Sequence, residues 1–143
     1  MGSRRKSREL ALQALFYMDI RKDISEEALE HFCRNFEPSR KMKPFFIELV
    51  NGVSRNLSEI DHLIKKFSKN WKITRMSCVD RNIIRIAIFE MLFCKDIPAK
   101  VSINEAIDIG KKFGTDESGS FINGIMDSIR IDQDNEIAQK NEE

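Results

Sequence analysis

An all-helical fold is predicted for this chain by three observations. Apolar residues recur at three- and four-residue spacing almost throughout. Only 3 prolines and 6 glycines interrupt the 143 residues. Ser25, Ser77, Ser102 and Thr115 each stand as a cap ahead of an apolar periodic run. The length suits one compact unit or two small bundles sharing an interface. With 41% hydrophobic and 33% charged residues, the chain can close a core and cover it with solvated charge.

The first helix places Ala11, Ala14, Leu15 and Met18 on one face, with Leu12 and Phe16 on a neighbouring stripe. Ser25 caps a second, with Glu26 and Glu27 complementing its dipole; Leu29, Phe32, Cys33 and Phe36 form its buried face, and Pro38 stops it. From about Ser39 to Ser68 the apolar spacing describes one long helix, or two joined by a break between Ser54 and Ser58. Pro44 is tolerated there because it falls in the first turns, where the missing N–H matters least. Lys69 to Thr74 is the expected connection between two bundles, with Trp71 as a packing anchor.

Ser77 and Asp80 then have capping-box spacing, with Asp in place of the usual Glu, and open the most apolar run of the chain. Its β-branched content is compatible with a strand. The eighteen residues from Ser77 to Cys94 contain no turn signal, however, and that length favours a helix at the centre of a bundle. After Pro98, Ser102 and Glu105 form a second capping box, and Ile103, Ala106, Ile107 and Phe113 run to a stop at Gly114. Thr115, with Asp116 and Glu117 behind it, starts the last helix, whose inner face is Ile122, Ile125, Met126 and Ile129. The stretch from Asp132 is polar and acidic and is expected to be disordered. The expected division is therefore 1–73, 74–131 and a tail, 132–143.

The formal net charge of +1 argues against a histone-like nucleic-acid binder, but it hides segregation. Residues 1–8 carry +4 through Arg4, Arg5, Lys6 and Arg8, and residues 40–85 carry +7; the stretches 9–39, 86–130 and 131–143 are acidic. Such runs are often only solvated faces. The basic start is the more suggestive one, because it leads directly into an apolar helix.

Catalytic chemistry has little support. His31 and His62 sit on separate helices with no nucleophile at a recognisable spacing, and each reads as a surface residue. GTDESG lacks both the lysine of a P-loop and a preceding strand. Cys33, Cys78 and Cys94 are odd in number and widely spaced, which supports neither a disulfide framework nor a zinc site and fits a reducing cytosol. The longest apolar stretch, Ile83 to Cys94, contains Arg85 and Glu90 and is too short to cross a membrane. No metal, cofactor or membrane is expected.

Nucleic-acid binding is better supported. A basic N-terminus neutralises phosphates without reading sequence, and specificity then needs amides and aromatic faces for unstacked bases. Gln13 and Phe16 or Tyr17 follow the basic run by one to two turns, and the last helix offers Phe121 and Asn123. Phe121 lies one position off the inner stripe, so it is either a core-edge residue or a stacking platform. Asn123 and Gly124 are both poor helix formers, and together they ask for a local reason, either close packing against a neighbouring helix or a contact with a partner.

The runs RRKSRELALQALFYMD, DRNIIRIAIFEM, IPAKVSINEAIDIGKKFG and SFINGIMD resemble, in order and spacing, the signatures of the NusB transcription antitermination family. The resemblance extends from about Arg4 to Arg130. It implies two packed three-helix bundles in a bacterial, cytoplasmic and non-enzymatic protein. It also implies a heterodimer with NusE, a small-subunit ribosomal protein, that binds boxA RNA within a complex of RNA polymerase and other Nus factors, notably on ribosomal RNA operons.

By match to the motifs, Arg4, Arg5, Lys6 and Arg8 would hold phosphates, and Gln13, Phe16, Asp80, Glu117, Phe121 and Asn123 would lie on or near the RNA-facing surface. Many relatives carry Tyr at the position of Phe16 and Lys at that of Ser120, so a hydroxyl and a cation are missing here. Lys111 and Lys112 stand close enough in sequence to compensate. A second reading is a helical scaffold or homodimer without specific RNA binding. A third follows from the fusion of this module to RNA cytosine methyltransferases, which need a βαβ domain of roughly a hundred further residues; the present length leaves no room for one.

Overall fold

The computed structural model describes residues 2–68 and 72–142, and these form seven α-helices and no strand. The connection expected at 69–71, with Trp71, lies outside the described residues. In chain order the helices are α1 (Ser3–Arg21), α2 (Glu26–Asn35), α3 (Lys43–Arg55), α4 (Leu57–Phe67), α5 (Cys78–Phe93), α6 (Ala99–Phe113) and α7 (Ser118–Glu142), with a 3-10 turn at Ile73–Arg75 before α5.

The central role expected of the apolar helix is observed: α5 packs against α1, α3, α4, α6 and α7. Residues 82 to 91 of α5 are all buried, which its near-continuous apolar sequence permits. On one side α1 packs on α2 and α3; on the other, α6 packs on α7. The predicted inner faces are correct for α1, through Ala11, Ala14, Leu15 and Met18, and for α7, through Ile122, Ile125, Met126 and Ile129; of the neighbouring α1 stripe, Leu12 is buried and Phe16 is exposed. The long stretch 39–68 is two helices, broken at Asn56, whose side-chain amide donates to the Gly52 carbonyl at 2.8 Å.

Two of the proposed caps hold. Ser25 Oγ accepts from the Ala28 N–H, and Ser77 Oγ accepts from the Asp80 N–H. Four expectations need correction. Ser102 and Glu105 are not a capping box, because the chain enters α6 directly after Pro98, and the Ser102 hydroxyl instead donates to Glu90 Oε1 at 2.9 Å. Phe36 is 55% exposed, since it follows α2 outside helical geometry and stacks on Phe32 at its outer edge. Thr115 to Glu117 make a turn, and α7 begins at Ser118. The stretch expected to be a disordered tail continues α7 to Glu142, as an exposed helix whose last eleven residues include no glycine or proline.

Candidate nucleic-acid interface

The basic start is helical, and the helix distributes its four cations very differently. Arg8 is only 3% exposed. Its guanidinium donates to both oxygens of Glu90, at 2.8 and 2.7 Å, and to Glu105 Oε1 at 2.9 Å. Every nitrogen is therefore committed inside the protein, and the expectation that Arg8 holds an RNA phosphate is corrected: it ties α1 to α5 and α6. Arg5 pairs with Glu105 and Asp108. Arg4 reaches Asp96 at 3.3 Å and lies over the Phe45 ring. Lys6 is exposed and makes no ion pair among the described residues.

Lys6, Gln13 and Phe16 share one stripe of α1 with Glu9, because spacings of three, four and seven residues return to the same helix face. Phe16 is 36% exposed, so a ring face is available. Lys112, near the end of α6, donates to Glu9 at 3.0 Å, which brings the α6 terminus against this stripe.

Beyond Lys112 the chain turns through Gly114 to Glu117 and reaches a cleft of about 190 Å³ lined by Arg75, Met76, Ser77, Asp80, Thr115, Glu117 and Phe121. Three residues named from sequence thus meet in one place: Asp80 from the first turn of α5, and Glu117 and Phe121, one turn apart, from the entry into α7. Phe121 is half-buried at the edge. Asp80 Oδ1 is buried without a hydrogen-bond partner among the described residues; an unsatisfied acceptor of this kind suits a base amino group, a ribose hydroxyl or a partner N–H. Arg75 adds a cation that sequence reasoning did not single out. Its signal was present in the charge of 40–85 but could not be assigned to a site.

Asn123 is not part of this cleft. It is exposed, and two residues from Phe121 it falls about 200° away around α7, on the opposite flank. A Cβ at Gly124 would meet nothing within 4 Å, so close helix packing is not the reason for that glycine.

A second polar cluster supports the cleft from within. Asp19 Oδ2 accepts from Arg81, Asn82 and Arg85. Burial alone would raise the Asp19 carboxyl, but hydrogen bonds from Asn82 and Arg81 and the charge of Arg85 outweigh it and hold the group below the usual carboxylate range. The same Arg85 pairs with Asp61 on α4 through two contacts of 2.9 and 2.8 Å. These carboxylates position the first turns of α5, where Asp80 stands. Among the described residues, no group of His, Cys, Asp and Glu is arranged to hold a metal, and no helix is long and apolar enough to cross a membrane.

Residues 5–130 match the model of the NusB family. A transcription antitermination protein NusB of Desulfatibacillum aliphaticivorans is 60% identical over 131 residues, covering 92% of each chain. Among solved structures, T. maritima NusB is 42% identical with a TM-score of 0.79, covering 88% of this chain and 89% of that one. The matching chain in a complex of the antitermination factors NusB and NusE with double-stranded RNA is 26% identical with a TM-score of 0.80, covering 90% and 96%. The order of the motifs, the family match across most of the sequence and the all-helical architecture agree, and the chain belongs to the NusB family.

Proposed function

We propose that the protein is a transcription antitermination factor that binds boxA RNA as a heterodimer with NusE and supports processive transcription of ribosomal RNA operons in the bacterial cytoplasm. Its task is recognition, and no reaction is assigned to it. The observation that carries this reading is the convergence of Asp80, Glu117 and Phe121 on one cleft, in a chain whose relatives are antitermination proteins.

The chemistry fits a single-stranded segment. Phe121 and Phe16 offer faces for stacking, Asp80 and Glu117 offer acceptors, and Arg75 and Lys6 offer cations for phosphates. Gln13 extends the same surface along α1, Asn123 serves a contact on the other flank of α7, and Arg4 and Arg5 act at its border. In this reading the N-terminal bundle, to residue 73, contributes the α1 stripe, and the C-terminal bundle, 74–131, contributes the cleft. A larger complex with RNA polymerase and other Nus factors builds on both.

The test is fluorescence anisotropy with labelled boxA RNA, with and without purified NusE. Binding strengthened by NusE and weakened about fivefold or more by Phe121→Ala is expected, since stacking contributes ~1–3 kcal/mol per base. RNA binding that is indifferent to NusE, or absent with it, overturns the reading in favour of a scaffold or homodimer.

A further inference from the structure

Of the four cations in residues 4 to 8, Arg4, Arg5 and Arg8 lie within ion-pair distance of four carboxylates, Asp96, Glu105, Asp108 and Glu90. Taken with these partners, the basic start is electrically neutral. The +7 of residues 40–85 behaves differently: Arg81 and Arg85 are committed to Asp19 and Asp61, but Lys65, Lys66, Lys72 and Arg75 enter no ion pair among the described residues and are all exposed.

These four stand on two adjoining segments. Lys65 and Lys66 occupy the last turn of α4, and α4 packs against the 3-10 turn that follows. Within that turn the Arg75 N–H donates to the Lys72 carbonyl at 2.8 Å. Arg75 lines the cleft shared by Asp80, Glu117 and Phe121.

We propose that Lys65, Lys66, Lys72 and Arg75 form a second phosphate-binding strip, which carries an RNA strand out of the Asp80–Phe121 cleft and along the end of α4. The inference rests on the RNA-binding reading above and moves its electrostatic centre away from the N-terminal arm. A polyanion gains affinity by displacing counterions from cations that are not already neutralised, and the strip supplies these where the arm supplies mainly Lys6. Cations in the last turn of a helix also favour its dipole. That role alone would alter stability and leave the salt dependence of RNA binding unchanged.

The experiment uses the full chain with NusE and labelled boxA RNA extended by flanking nucleotides, titrated across a range of KCl concentrations. A variant carrying Lys65→Ala, Lys66→Ala, Lys72→Ala and Arg75→Ala is compared with one carrying Arg40→Ala, Lys41→Ala and Lys43→Ala, which removes charge from the α2–α3 connection and the first residue of α3. The strip variant is expected to lower the log–log salt slope by about 2–3 units, at roughly 0.7 per phosphate, and to bind at least about tenfold more weakly at about 0.15 M salt. The control variant should change affinity by less than about twofold. An unchanged slope, or equal losses in both variants, overturns the strip while leaving RNA binding intact. Failure of the unmodified protein with NusE to bind the RNA overturns the underlying reading as well. Thermal melts establish that both variants are folded.

Discussion

Arg8 and Glu90, 82 residues apart, form a two-point ion pair inside the protein, with contacts of 2.8 and 2.7 Å. The pair joins α1 to the central helix, and Ser102 of α6 donates a further hydrogen bond to the same carboxylate. Removing one member leaves the other charged and buried, so Arg8→Ala and Glu90→Gln are each expected to destabilise by about 3–5 kcal/mol in urea unfolding. Arg8→Lys should recover little, because a single ammonium cannot reproduce the planar fork. The paired change Arg8→Met with Glu90→Leu should cost less than the two single changes added together. Additive losses would show that the two side chains act independently.

Acid should weaken the same junction through Glu105. The hydrogen bond from Arg5, offset by burial and reinforced by the charges of Arg5 and Arg8, holds its carboxyl below the ordinary glutamate value of 4.5. A folded-state pKa below the unfolded one means that the contribution is complete above about pH 4.5 and is lost as the pH falls through the lowered value. Urea midpoints followed from neutral pH into acid should therefore drop below about pH 4.5, and Glu105→Gln should start lower and fall less steeply. Identical pH slopes for the two proteins would remove Glu105 as the source.

Residues whose role depends on periodicity were legible in the sequence, and residues whose role depends on a distant partner were not. The α1 and α7 faces follow from spacing alone, and the break at Asn56 falls within the interval where the apolar rhythm slips. Arg8 reads as a phosphate-binding cation in sequence, because nothing local announces that Glu90 and Glu105 will be brought to it from two later helices. Ser102 and Glu105 match a cap by spacing, but Ser102 turns to Glu90 of α5 and Glu105 to Arg8 of α1. The cleft was half legible. Asp80, Glu117 and Phe121 stand out in sequence, but only the fold brings the segment from Arg75 to Asp80 against the one from Thr115 to Phe121.

Thiol chemistry offers a probe of the core. Burial, followed by the charge of Glu48, pushes the Cys94 thiol up to about 12, while burial also raises Cys33 and Cys78. At about pH 8.5, where a free thiol is half ionised, the native protein should alkylate at Cys94 at least roughly a hundredfold more slowly than in urea, because only the thiolate attacks. Mass spectrometry of iodoacetamide time courses reads this directly. Cys94 reacting in the folded protein as fast as in the unfolded one would contradict its burial beside Glu48 of α3.

Two glycines in helices should respond to alanine in opposite directions. A Cβ at Gly52 would overlap the Phe89 ring, so Gly52→Ala forces the ring aside or α3 away from α5 and is expected to cost about 1–3 kcal/mol. At Gly124 the added methyl meets nothing within 4 Å, and Gly124→Ala should raise stability by about 0.5–1 kcal/mol through the helix alone. No contact among the described residues calls for a glycine there, and the exposed Asn123 precedes it, so the proposed interface on this flank is open to test at this position. Gly124→Ala is therefore expected to melt at a higher temperature yet bind NusE and boxA RNA more weakly. A stabilised variant that assembles with unchanged affinity would exclude this flank of α7 from the interface.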